Sequence, residues 1–247
     1  MYLFLAKGIK MLKNVKVLTK LLFRACGLDI GRIPQFEPYE WLKGKDIHTI
    51  LDIGANTGQF ASQFHRLLPD ATLYSFEPLE DCYNELLKKM GHSPKFHAFN
   101  FAVGDKNGKV PIYRNDYTPS SSLLSMKELH KQAFPFTKHT TAQTIPIKRL
   151  DDILDELDII ENVLVKIDVQ GTEDKVILGG EKLISRASVL ILETSFQSLY
   201  QDQPLFDTIY EMLKQRGFIY AGSEHTIRNP NDGSILQSDS VFYKAKQ

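Results

Sequence analysis

The chain has 247 residues, 43% of them hydrophobic and 24% charged, with 30 Lys+Arg balanced by 30 Asp+Glu. That composition excludes disordered, collagenous and coiled-coil chains and fits one large globular domain with an extension. Two cysteines, Cys26 and Cys82, are too few for a disulfide scaffold and fit a reducing, cytoplasmic compartment.

The zero net charge conceals an asymmetry. Residues 1–28 hold no acid but carry Lys7, Lys10, Lys13, Lys16, Lys20 and Arg24, whereas residues 29–247 hold 24 bases against 30 acids. A body of that sign is not a general nucleic-acid binder. The bases recur every three or four residues, so they line one face of an amphipathic helix whose other face carries Leu5, Leu12, Val15, Leu18 and Leu22. The charges recur too often for a transmembrane span, and no apolar segment with a small-residue cleavage site follows. Such a helix packs on the body or on a second copy, the favoured reading, or lies on an anionic membrane surface. Residues 29–46, with Pro34, Pro38 and Trp41, read as a linker with a short helix, giving a division into residues 1–46 and a domain over 47–247.

From residue 47 strands and helices alternate. Ile47–Ile53 is an apolar strand, Gln59–Leu68 a helix stopped by Pro69, Ala71–Phe76 a strand, Asp81–Met90 a helix and Lys95–Phe99 a strand. Asp105-Lys106-Asn107-Gly108 reads as a hairpin turn leading into Val110–Tyr113. Residues 115–144 are polar and long for a connection, which makes them a candidate lid or substrate loop. Leu150–Leu157 reads as a short helix, Val163–Val169 as a strand, Asp174–Ile184 as a helix, Val189–Leu192 as a strand and Phe206–Arg216 as a helix closed by Gly217. Phe218–Ala221 and Val241–Tyr243 form a terminal antiparallel unit. The alternation means an α/β fold, a mostly parallel sheet with helices on both faces, whose sites lie at the carboxyl ends of the strands.

The first strand ends in Asp52-Ile53-Gly54-Ala55-Asn56-Thr57-Gly58 and the second in Glu77-Pro78. Glycines four apart at a strand-to-helix turn let a backbone approach a ligand, and the helix N-terminus behind them offers free N–H donors. The dinucleotide spacing G-x-G-x-x-G is absent, which weighs against an NAD-linked oxidoreductase. An acid before the turn and another closing the second strand, able to accept two ribose hydroxyls, suit a positively charged nucleoside; S-adenosylmethionine fits. At the ends of the later strands stand Lys166, Asp168, Glu173 and Glu193. Lys166 and Asp168, two residues apart, share a side and can pair. Asp168 is the first candidate to orient or deprotonate an acceptor, with Glu173 and Glu193 next. The seven histidines show no helical metal spacing, so no metal site is expected; His130 and His139 fall in the candidate lid. Phe196 and Tyr200 follow the fifth strand and stack on an acceptor or pack under the loop.

Residues 50–58 and 76–78 resemble the cofactor motifs of class I S-adenosylmethionine-dependent methyltransferases. The wider set resembles the FkbM family of O-methyltransferases: Asp52 to Gly58, Ser75 to Pro78, Asn100 to Asp105, Ser121-Ser122, Val165 to Glu173, and Leu192-Glu193. The resemblance covers about residues 47–244. It implies a Rossmann-like seven-stranded, mostly parallel sheet with an antiparallel terminal strand. It implies that Gly54, Ala55, Asn56, Thr57 and Gly58 wrap the methionine part of the cofactor near Asp52. Glu77 and Pro78 would lie at the ribose, Asn100 and Ala102 beside the adenine, and Ser121 and Ser122 in a loop closing the site. Asp168 would front the transfer cleft. The implied acceptor is a hydroxyl on a glycan or a secondary metabolite. The family usually shows an acid where this chain has Gln170, which admits either a neutral hydrogen-bonding substitute or a fold that has lost turnover.

Overall fold

The computed structural model describes Phe23 and residues 38–245. The amphipathic helix expected over residues 1–28 and the linker up to residue 37 otherwise lie outside the described residues. The compact unit containing the sheet begins at Tyr39, ahead of the boundary expected at residue 47. A 3-10 turn, Glu40–Gly44, follows, with Tyr39 and Leu42 buried in the core.

Seven strands form the main sheet: β1 (Thr49–Ile53), β2 (Thr72–Phe76), β3 (Phe96–Phe99), β7 (Val163–Ile167), β8 (Ala187–Ser195), β9 (Phe218–Arg228) and β10 (Ile235–Lys244), in spatial order β3-β2-β1-β7-β8-β10-β9. The neighbours from β3 to β8 pair in parallel, and β10 runs antiparallel to both β8 and β9. Every residue of β1 and β7 is buried, because helices cover both faces and the strands must be apolar nearly throughout. Alternation divides the core. Ile50, Leu164, Ile191 and Val241 face α1 (Gln59–Leu67), α2 (Glu80–Met90) and Tyr39. Leu51, Val165, Leu190 and Phe242 face α4 (Glu173–Gly179), α5 (Glu181–Arg186) and α6 (Phe206–Gln215).

Four expectations change. The hairpin across residues 105–108 is absent: β4 (Ala102–Val103) and β5 (Gly108–Asn115) both pair with β6 (Thr140–Lys148), which lies between them. This small sheet buries Ala102, Ile112, Ile145 and Ile147 against Leu79 and Cys82. The candidate lid is therefore shorter than 115–144. The first half of β6 is solvent-facing and polar, so only Ile145 and Ile147 betray the strand. Between β5 and β6 run two short 3-10 turns and α3 (Glu128–Ala133). The helix expected over 150–157 is two 3-10 turns, Leu150–Asp152 and Leu154–Glu156; burial of Leu150 and Ile153 at a spacing of three is met by that geometry as readily as by an α-helix. The helix expected over 174–184 divides into α4 and α5 at Gly180, a poor helix former.

Candidate active site

The turn after β1 and the end of β2 form one half of the site. The amides of Gly54 and Ala55 donate to the Phe76 carbonyl at 3.0 Å, so the turn is hung on the neighbouring strand. Gly54, Asn56 and Gly58 all have positive φ. At Gly54 the requirement is absolute: a Cβ there would lie 1.8 Å from the Asp168 carbonyl oxygen. The glycine therefore answers first to the chain's own backbone, where the end of β7 crosses the turn. Glu77 is buried, and its two oxygens accept the backbone N–H groups of Asn56 at 2.8 Å and Leu79 at 2.7 Å. Burial raises its pKa to about 7, against the pull of those two donors. The Asn56 side chain caps Thr57 N–H and meets Thr118 Oγ1 at 3.2 Å, and Lys89 Nζ donates to the Thr57 carbonyl. Asn100 Nδ2 donates to the carbonyls of Glu77 and Pro78, which fixes the path of the chain at the end of β2. Ala102 is buried in the core of the small sheet.

The second half is a polar row on the α1 face. Strand register sets Asp52 opposite both Ser75 and Lys166, and Glu193 opposite Asp239. Asp52 is fully buried; Ser75 Oγ lies 3.5 Å from its Oδ2, and its Oδ1 has no hydrogen-bond partner. Burial raises its pKa to about 6, with Lys166 pulling the other way. Lys166 is itself buried, which opposes its charge, yet the carboxylates of Asp168 and Asp52 more than reverse that and hold it protonated. The expected pairing is made: Lys166 Nζ donates to Asp168 Oδ2 at 2.9 Å and sits 4.9 Å above the Phe60 ring. Asp168 keeps 29% of its side chain accessible, in contrast to its buried neighbours.

Gln170 is the hub. Its Nε2 donates to Asp168 Oδ1 at 2.8 Å and to Glu193 Oε2 at 2.5 Å, and its Oε1 accepts from Tyr200 OH at 2.9 Å. Its backbone carbonyl accepts from Ser122 Oγ at 2.6 Å, and Gln237 Nε2 gives Glu193 a second donor at 2.8 Å. Burial raises Glu193 well above the ordinary carboxylate range, with Asp168 and Asp239 adding to the effect. Glu173, at the start of α4, turns back to accept Gly171 N–H at 3.0 Å, and burial raises it to about 7. Ser121 Oγ accepts Asn115 N–H, and Ser122 Oγ also accepts Leu124 N–H, so both serines shape the segment that runs from Asn56 to Gln170.

Sequence reasoning missed Gln237, Asp239 and Tyr39. Tyr39 OH donates to Asp239 Oδ2 at 2.5 Å. The available signal was a run of polar residues, Gln237 to Ser240, inside a strand bounded by Leu236 and Val241. Tyr200 packs beneath the loop, fully buried, while Phe196 is 40% exposed and stacked on Phe206. His130 is buried against Tyr200 and Phe134, and burial lowers its pKa to about 4. His139 is exposed and lies 3.1 Å from Asp116.

The strand order, the glycine turn and the acids at the strand ends set a polar cluster at the carboxyl edge of an α/β sheet, where ligand sites of such sheets lie. Comparison with known proteins makes this specific. The methyltransferase FkbM domain matches residues 52–220. The 2-O-methyltransferase NoeI of Sinorhizobium fredii is 29% identical over 171 residues, covering 66% of this chain and 70% of that protein. The methyltransferase sdnD of Sordaria araneosa is 28% identical over 195 residues, covering 68% and 73%. Among solved structures, Aeropyrum pernix fibrillarin with bound S-adenosyl-L-methionine superposes with a TM-score of 0.44 at 12% identity, covering 91% of this chain and 74% of that one. The chain belongs to the FkbM methyltransferase family. It is an S-adenosylmethionine-dependent methyltransferase.

The residues present fit that cofactor. A fully buried carboxylate oxygen of Asp52 without a partner, in a row with one lysine and several acids, is the chemistry that favours a ligand bearing positive charge.

Proposed function

We propose that this protein methylates a hydroxyl oxygen of a glycan or a secondary metabolite, with Asp168 as the base. The observation that carries the reading is the state of Asp168. One oxygen is held by Lys166 and the other by Gln170, at the end of β7, and it stays more open than Asp52, Glu173 and Glu193. A base fixed by two donors is oriented without being sealed from solvent. The relative NoeI is named as a 2-O-methyltransferase, which supports oxygen as the acceptor atom.

Bound at the glycine turn, S-adenosylmethionine supplies an already activated methyl group, so alignment carries much of the rate. Gly54 to Gly58 would wrap its methionine part, Glu77 its ribose hydroxyls, and Asn100 with Pro78 would border the base. Asp168 accepts the proton of the acceptor hydroxyl as the oxygen gains its methyl group, and the Lys166 ammonium, 2.9 Å from its Oδ2, orients the carboxylate. Glu173 and Glu193, both pushed toward their protonated forms by burial, are donors or supports rather than competing bases. The segment carrying Ser121 and Ser122 joins the cofactor half to the transfer half and is the natural place for acceptor selection. The basic segment over residues 1–28 remains a docking element in this reading, for the body, a second copy or a membrane surface. Among the described residues no helix is long and apolar enough to cross a membrane.

The test is transfer of labelled methyl from S-adenosylmethionine to a panel of mono- and oligosaccharides and hydroxylated small metabolites, run with wild type and Asp168→Asn. Label on an acceptor oxygen, lost in the variant, is the expected result. Label on nitrogen or carbon, or equal transfer by the variant, would overturn the reading.

A further inference from the structure

The two carboxylates at the ends of β7 and β8 share a single group. Both N–H bonds of the Gln170 amide are used, one on Asp168 Oδ1 and one on Glu193 Oε2, at 2.8 and 2.5 Å. The amide is held by all three partners at once: its NH2 faces the two acids and its Oε1 accepts from Tyr200 OH. Its backbone is held as well, at a φ of 56° with the carbonyl bonded to Ser122. The side chain is thus pinned from both ends with every polar atom satisfied.

Two carboxylates on adjacent strand ends, each turned toward one central point, are what a divalent cation with oxygen ligands requires. Such an ion takes its oxygens at about 2.0–2.6 Å, close to the 2.8 and 2.5 Å at which the amide nitrogen holds the same two oxygens. The centre is filled by nitrogen. Among the described residues no group of three His, Cys, Asp or Glu side chains converges as a metal site, and here the third corner is an amide that contributes donors where a cation needs acceptors. We propose that Gln170 is a positioning residue that takes the place of a divalent cation, holding Asp168 and Glu193 in register without a metal at that point. The amide does for the pair what a cation would do: it gives each carboxylate a positive partner, fixes their separation, and through Tyr200 and Ser122 ties both to the loop above. It adds no net charge, so among the described residues Lys166 is the cation paired with Asp168.

The idea rests on the methyl-transfer reading only for the purpose of the pair; the bridge itself is tested by binding, with no acceptor needed. Mn2+ would be titrated into full-length wild type, Gln170→Glu, and Gln170→Glu combined with Glu193→Gln, with free Mn2+ followed by electron paramagnetic resonance. The expected result is one tight Mn2+ on Gln170→Glu, at least tenfold tighter than on wild type and lost again in the double variant. If Gln170→Glu does not fold, Gln170→Ala opens the same gap, and its melting temperature should rise with Mn2+ while that of wild type does not. Wild-type binding of Mn2+ that disappears with Glu193→Gln would overturn the proposal, as would indifference of both Gln170 variants to Mn2+. Once an acceptor is in hand, chelator should leave wild-type turnover unchanged and reduce that of Gln170→Glu.

Discussion

The two halves of the site are built on different principles. The cofactor half of the proposed site is contiguous and made largely of backbone: the turn from Gly54 to Gly58 after β1, hung on Phe76 and fixed by a carboxylate that accepts two main-chain N–H groups. The transfer half is made of side chains drawn from separate parts of the chain, with Lys166, Asp168, Gln170, Glu193, Tyr200 and Gln237 in one network. The contrast teaches that cofactor binding and chemistry should be separable by mutation. The first half fails by losing its fold or its ligand, the second by losing its rate.

The largest effect should come from the transfer half. Asp168→Asn keeps the shape and removes the proposed base, and turnover should fall about 10^3-fold, within the usual range for general base catalysis. Cofactor affinity measured by calorimetry should stay within about threefold. Gly54→Ala attacks the other half through the fold. Its Cβ would meet the Asp168 carbonyl at 1.8 Å on a backbone of φ 84°, so urea unfolding should show a loss of about 3 kcal/mol or more. Glu77→Gln sets an NH2 against one of two backbone N–H groups and removes the charge that would hold the ribose. S-adenosylmethionine should bind about 30-fold more weakly, some 2 kcal/mol, with the rate at saturating cofactor little changed.

The smallest effect is on pH dependence, and its sign follows from burial. Glu77 and Glu173 have folded-state pKa values raised from 4.5 to about 7, so between those values the folded protein holds protons the unfolded chain has released. Stability therefore falls as pH rises from about 4.5 to 7, and the melting temperature of the cofactor-free protein should be higher at pH 5.5 than at pH 8. Glu173→Gln should flatten that slope by at most about 1.4 kcal/mol per pH unit. A slope of opposite sign would show that these carboxylates are ionised when folded.

The same contrast explains what was legible in the sequence. The alternation of strands and helices, the glycine turn and Glu77-Pro78 are local signals, and each appears where expected. The Lys166–Asp168 pair was readable because strand alternation alone sets two residues side by side. The small sheet was not, since β6 lies between two segments that precede it and half of it is solvent-facing. Nor was Asp239 or Gln237, whose places beside Glu193 depend on antiparallel register across more than 40 residues. Tyr39 reaches Asp239 over 200 positions, a contact that only the folded chain makes.

The most direct measurement is a calorimetric titration of S-adenosylmethionine into wild type and Asp168→Asn, paired with methyl transfer to an accepting sugar hydroxyl by the same two samples. Equal cofactor affinity with transfer confined to wild type is the predicted outcome. Loss of cofactor binding in the variant, or transfer that survives without the Asp168 carboxylate, would contradict the division of the site into a binding half and a chemical half.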